Sequence, residues 1–197
     1  MWNERYAQPG FLFGTEPAQF LVDQQAYLKR GQTALAIADG EGRNSVFLAE
    51  KGLKVTAQDA SDVAIDKARG LAAARGAQVD YQLADLKQWD WPEAQYDLAV
   101  AIFIQFADPD FRDQIFAGLK KTLKPGGVLL LHGYRPEQLA YGTGGPPTAE
   151  TMYTEALLLD SFADMEVLRL ASYDREVDEG KGHSGMSALI DLVARKI

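Results

Sequence analysis

Short apolar runs rich in β-branched residues alternate along this chain with segments of helical period, and that alternation restricts the fold to a largely parallel sheet covered by helices. Parallel neighbours are reached only through a crossover, so each strand needs a helix or a long connection before the next one. Thr33 to Ala38 reads as the first strand, and Asn44 to Lys51 as the helix behind it, ended by Gly52 at a C′ position. Lys54 to Gln58 is the second strand. Ser61 then caps a helix that carries Ala64, Ile65, Ala68, Leu71 and Ala72 on one face. Val79 to Gln82 and Tyr96 to Ile102 follow as strands, the latter apolar enough to be buried on both faces. A helix from Asp110 to Leu123 stops at the breaker cluster Lys124-Pro125-Gly126-Gly127, and Val128 to His132 is the fifth strand. Arg135 to Thr148 reads as a loop and Thr148 to Asp160 as the last helix. Val167 to Tyr173 and Ser187 to Ala194 close the sheet. Their link, Asp174 to His183, is polar and short, which suits an antiparallel pair.

At 197 residues the chain suits one domain. Residues 31–197 are expected to form it, with 1–30 as a cap segment carrying Tyr6, Phe11, Leu12, Phe13 and Phe20 over one end of the sheet. A formal net charge of -8 repels polyanions, so nucleic acid is not an expected partner. The only compact basic run, Lys120, Lys121 and Lys124, sits where a helix ends and suits the macrodipole there. The absence of cysteine excludes disulfides, thiolate metal sites and a cysteine nucleophile, and no metal site is expected. The N-terminus has no charged segment followed by an apolar one, and no stretch is apolar enough to span a bilayer, so the expectation is a cytoplasmic protein without a membrane partner.

Chemistry concentrates at strand ends. Gly40-Glu41-Gly42 lies between the first strand and its helix, where missing side chains permit close approach of a ligand to the backbone. Asp59 ends the second strand, where a carboxylate can accept both hydroxyls of a ribose. Asp85, followed by Leu86, comes after the third strand, where it could accept from an adenine amino group. Each acid alone is more often a turn or helix cap. Together they mark the carboxyl edge of three successive strands, the place where open α/β sheets bind ligands.

The series Ala38-Asp39-Gly40-Glu41-Gly42-Arg43-Asn44-Ser45, Val55 to Ser61, Ala84-Asp85-Leu86, Tyr96-Asp97-Leu98 and Leu123-Lys124-Pro125-Gly126-Gly127 resembles the ordered motifs of the Rossmann-like, class I S-adenosylmethionine (SAM)-dependent methyltransferases. The resemblance implies a three-layer α/β sandwich with a mostly parallel seven-stranded sheet and an antiparallel C-terminal strand, and SAM as cofactor. Trp2-Asn3-Glu4-Arg5-Tyr6, Phe13-Gly14-Thr15-Glu16-Pro17 and the Gly-Arg-Asn-Ser continuation resemble the tellurite-resistance and thiopurine methyltransferase group. By carry-over, Ala38, Asp39, Gly40, Gly42, Arg43 and Asn44 form the cofactor loop, Asp59 holds the ribose, and Ala60 packs beside the adenine. Asp85 and Leu86 read its edge, Ile102 and Phe103 line the pocket, and Trp2, Arg5 and Tyr6 are expected to close over it. Where the family usually has an acid and a glycine, this sequence has Ala36 and Ala38. Asp39 or main-chain carbonyls are the expected substitutes for the missing acid in contacting the SAM ammonium.

The function implied is methyl transfer to a small molecule, a thiol or a chalcogen oxyanion among the options. An NAD-type oxidoreductase and a non-catalytic SAM-binding protein are the alternatives. Ser45 stands against the first of these, because it replaces the third glycine of the dinucleotide motif. His132 and His183 are either structural or close to the acceptor, and Tyr134, Arg135 and Arg175 are candidates for binding an anionic one. Taken singly, either arginine more readily pairs at the surface with Glu137, Asp174 or Glu176. The loop Gly142 to Pro147 is expected to border the acceptor site. No catalytic residue is assigned from sequence.

Overall fold

A computed structural model describes residues Trp2 to Ile197. Five strands, β1 (Thr33–Ile37), β2 (Lys54–Asp59), β3 (Val79–Leu83), β4 (Tyr96–Ile102) and β5 (Leu123–Tyr134), run parallel. β6 (Met165–Asp178) and β7 (Ser184–Lys196) form an antiparallel ribbon, and β7 also runs antiparallel to β5. The order is β3-β2-β1-β4-β5-β7-β6, so the chain reverses its direction of growth between β1 and β4. That reversal opens a crevice above the carboxyl ends of these two strands.

Helices α1 (Trp2–Tyr6), α2 (Gln19–Asp23), α3 (Arg43–Glu50), α4 (Asp62–Ala74), α5 (Pro109–Thr122), α6 (Gln138–Tyr141) and α7 (Glu155–Ser161) complete the chain. Alternation along the strands separates two cores. Leu35, Ile37, Ala99, Ala101, Leu129 and Leu131 pack on one face with Phe111, Ile115 and Leu119 of α5. Ala34, Ala36, Val55, Ala57, Leu98 and Val100 pack on the other with Phe20, Leu21 and Leu48. None of the described helices is long and apolar enough to cross a membrane.

Several boundaries differ from the sequence expectation. The cluster Lys124-Pro125-Gly126-Gly127 does not precede β5 but lies within it: Leu123 already pairs with Tyr96, and the register then skips to Leu98 with Val128. The breaker residues form a bulge inside a longer strand. Thr148 to Asp160 is not one helix. A 3-10 turn at Ala149–Thr151 is followed by Met152 and Tyr153, both buried, and Thr154 caps α7 by accepting the Leu157 N–H at 3.1 Å. Burying Tyr153 beside β5, where its N–H donates to Tyr134 O at 3.0 Å, interrupts the helical path. The Arg135 to Thr148 segment contains the short helix α6. Asp174 to Asp178 belongs to β6 rather than to the link, because partners in β7 extend to Ser184 and leave only residues 179–183 as a tip.

Candidate functional site at the carboxyl edge of the sheet

β1 ends one residue earlier than expected because Ala38 adopts a left-handed φ of 44°, at the position where the resembled family carries glycine. A Cβ in that region costs about 1–2 kcal/mol. Ala38→Gly is therefore expected to stabilise the fold, by roughly 0.5–1 kcal/mol once glycine's greater chain entropy is offset. Urea denaturation checks this, and a lower midpoint would contradict it. The backbone that Ala38 bends is held by β2: Ala38 N–H donates to Gln58 Oε1 at 3.1 Å, and Asp39 N–H to Gln58 O at 3.0 Å.

The loop then turns through Gly40 at φ 62° and Gly42 at φ 92°. Asp59 receives the Gly40 N–H on Oδ2 and the Ser61 N–H on Oδ1, each at 2.8 Å. Burial raises the Asp59 pKa above the usual carboxylate range, against the lowering effect of these backbone donors. A carboxylate has about four acceptor positions, so two remain for a ligand's hydroxyls. Glu41 and Asn44 face elsewhere. Glu41 accepts the Leu12 N–H at 2.8 Å and Lys67 Nζ at 3.1 Å, and Asn44 Oδ1 accepts the Ala18 N–H at 2.9 Å. These contacts bind the segment between α1 and α2 to the loop.

Asp39 turns toward the start of α3, where Oδ1 accepts the Ser45 N–H at 3.1 Å and Oδ2 meets Ser45 Oγ. In effect it caps the helix. Burial lifts its pKa to about 7, with the Ser45 hydrogen bonds opposing that shift. Folding therefore favours the protonated acid, and stability contributed at low pH is lost as pH rises from about 4 through about 7. Asp39→Asn resembles the protonated form, so its stability gain over the parent should grow between pH 5 and pH 8, reaching on the order of 2 kcal/mol. Thermal unfolding across that range tests this. A gain independent of pH would contradict it.

Asp85 is exposed and accepts the Lys87 N–H at 3.0 Å, a turn cap that leaves its other oxygen available. It borders a depression of about 440 Å³ with Asn3, Ala60, Asp62, Leu83 and Ala84. Leu83, 60% exposed at the end of β3, gives this depression an apolar wall that sequence reasoning missed. Strand-end position was the available signal. Leu86, by contrast, is buried in the core that includes α5. Trp2 and Arg5 are exposed, with the Arg5 guanidinium 4.6 Å over the Trp2 ring. Tyr6 is buried against the loop, and a Cβ on Gly40 would lie 2.9 Å from its hydroxyl.

Farther along the crevice stands a column of rings. Phe13 and His183 stack at 4.5 Å, His183 and Phe103 at 4.1 Å, and His132 lies between Phe103 at 4.9 Å and Phe20 at 4.7 Å. Phe103 follows Ile102 at the end of β4 and is strained, with φ 54°. His183 Nδ1 pairs with Tyr134 Oη at 2.6 Å, and burial followed by the Arg43 charge lowers its pKa to about 3, so the ring is neutral. His132 Nδ1 pairs with Asp191 Oδ1 at 2.7 Å. Asp191 is held below the ordinary range despite burial by His132, Tyr173 and Arg169. Arg135 pairs with Asp174 and Glu137, and Arg175 with Asp23 at 3.0 Å. Arg43, at the first turn of α3, instead lies 2.9 Å from Glu179 at the ribbon tip. Gly144 of the Gly142 to Pro147 loop bridges to His183. No group of described residues could hold a metal ion through clustered His, Cys, Asp or Glu.

The donor set suits SAM. Asp59 offers free acceptor positions and Leu83 offers an apolar wall. Residues 34–127, just under half of the chain, match a family described as "Methyltransferase domain". A ribosomal protein L11 methyltransferase of Campylobacter concisus is 36% identical over 55% of this chain and 37% of its own length. A ubiquinone biosynthesis O-methyltransferase of Paramagnetospirillum magneticum is 35% identical over 51% of this chain and 39% of its length. The chain thus spans between about a third and about half of the curated relatives it matches. Among solved structures, TehB of Haemophilus influenzae aligns with a TM-score of 0.75 at 20% identity, over 100% of this chain and 66% of that one. Residues 34–127 thus match a methyltransferase domain, and the seven-stranded sheet around them has the fold of the Rossmann-like, class I SAM-dependent methyltransferases.

Proposed function

We propose that this protein is a SAM-dependent methyltransferase acting on a small molecule. The observation that carries the reading is the convergence of Gly40, Asp59 and the Asp85-Leu83 depression on the crevice where strand order reverses. Asp59 holds the ribose, Gly40 and Gly42 admit the ligand to the backbone, and Ala60, Leu83 and Asp85 receive the adenine. Trp2, Arg5 and Tyr6, with the rest of residues 1–30, act as a cap. SAM supplies an electrophilic methyl group on a sulfonium, so the protein's main task is to hold the acceptor in line and exclude water. His183, lowered to about 3 by burial and the Arg43 charge, is too weak a base to take the acceptor's proton and positions instead. Thiols and chalcogen oxyanions, which need little or no base, are consistent with that chemistry.

Ser45 supports SAM over NAD: its Oγ engages Asp39 and lies 3.2 Å from Gly42 O, filling the space a third glycine would leave open. Calorimetry with S-adenosylhomocysteine (SAH) and NAD tests the cofactor. Labelled methyl transfer to a panel of thiols, oxyanions and small metabolites tests the activity. Tighter binding of NAD than of SAH would overturn the reading.

A further inference from the structure

Arg43, where the glycine loop enters α3, is a buried cation with incomplete pairing. It is 6% exposed, and its Nη1 has no hydrogen-bond partner among the described residues. Nη2 reaches Glu179 Oε2 at 2.9 Å, but that oxygen too lacks a hydrogen bond, so the approach is ionic and poorly aligned. Glu179 spends its other oxygen on the Gln19 N–H at 3.0 Å. A buried guanidinium with one unused arm, Nη1, is incomplete, and leaving such a donor unpaired is costly.

Its neighbours indicate what completes it. Arg43 bears electrostatically on both Tyr134 and His183, and Arg5 bears on His183 as well. Asp59, Glu41 and Asp39 instead bear on Tyr6 at the cofactor loop. The loop end is thus lined by carboxylates, while beside the stacked rings of Phe13, His183 and Phe103 the Arg43 guanidinium faces the Glu179 carboxylate, which also bears on Tyr134. Planar rings and a planar fork suit a flat acid.

Resting on the function proposed above, we propose that the methyl acceptor is a small organic acid whose carboxylate docks on the Arg43 fork beside the Phe13, His183 and Phe103 rings. Nη1 is shut off from solvent by the covering chain, so the acid reaches it when the ribbon tip, residues 179–183, shifts. The tip rests on the segment before α2 through a Gly182 N–H to Leu12 O bond at 3.0 Å and close packing of Gly180 on Gly14. The shift also parts Glu179 from Gln19 and Arg43, and His183 from its Phe13 stack and its Gly144 bridge.

The chain has two histidines, so ring-carbon NMR can follow His183 directly. Each protein is first saturated with SAH at a concentration measured for that protein, then titrated with benzoate, benzamide or benzylammonium. Benzoate should shift the His183 resonances saturably and bind at least about tenfold more tightly than the other two probes. Arg43→Met should lose at least about tenfold of the benzoate affinity, Arg43→Lys should retain part of it, and the distant Arg195→Met should retain all of it. Equal binding of the three probes, no benzoate binding, or parental benzoate affinity in both Arg43 variants overturns the inference. Failure of the parent to bind SAH would remove the proposed function, and this inference with it; SAH binding without a preference for benzoate removes only the inference.

Discussion

Replacing Asp59 by alanine is expected to weaken SAH binding about a hundredfold or more. Its carboxylate already receives the N–H groups of Gly40 and Ser61, so its orientation is fixed before a ligand arrives. Two hydroxyl donors on the remaining acceptor positions would each form a charge-assisted bond worth about 1.5–3 kcal/mol. Part of that is returned by solvent, leaving a loss of roughly 3 kcal/mol, or about two orders of magnitude in Kd. Asp59→Asn keeps one acceptor oxygen and should lose closer to tenfold. Because the folded carboxyl titrates above the usual range, affinity should also fall on acidification earlier than an exposed aspartate would dictate. Calorimetry on variants with parental circular dichroism measures both effects. An alanine variant within threefold of the parent would remove Asp59 from the site.

The second large effect concerns stability. Gly42→Ala places a Cβ 2.7 Å from Ala68 Cβ and 2.9 Å from Ala68 Cα, and does so at φ 92°. The obstruction is the backbone of α4, which cannot swing aside as a flexible side chain could. Overpacking costs about 1–3 kcal/mol and the left-handed strain about 1–2 kcal/mol more. A total near 3–4 kcal/mol should lower Tm by about 10 °C for a chain of this size. Gly76→Ala is the natural comparison, since Gly76 has φ 63° but nothing within 4 Å of its would-be Cβ. It carries the strain without the collision and should lose only about a third as much. Equal losses at the two positions would show that close packing of α3 on α4 contributes nothing.

Gly42 also shows what spacing can and cannot convey. A glycine between a strand and a helix was legible as a loop that admits a ligand. That it is required by the packing of α3 against α4, 26 residues on at Ala68, became visible only when the helices met. Asp39 changed in the same way. Its place beside Gly40 suggested a ligand contact, whereas the folded chain first uses it to cap α3 through Ser45. Arg135 and Arg175, eligible by type for an anion site, lie in ion pairs with Asp174 and Asp23, while Arg43, expected in the cofactor loop, points its charge toward the ring column.

Local patterning determined the strands, the helices behind them and the carboxyl edge on which Gly40, Asp59 and Asp85 lie, because period, caps and breakers act over a few residues. Boundaries failed where distant partners outweighed those signals. Pairing of Leu123 with Tyr96 drew a breaker cluster into β5, and burial of Tyr153 split the last helix. The ring-column end of the crevice was the least legible part. Phe13, Arg43, Phe103 and the Glu179–His183 tip come from four separate stretches of chain, and the Gln19 to Glu179 bond alone spans 160 positions. No local propensity encodes such a meeting. Packing of the α/β layers fixes it, by bringing the N-terminal segment and the β6–β7 tip over one end of the same sheet.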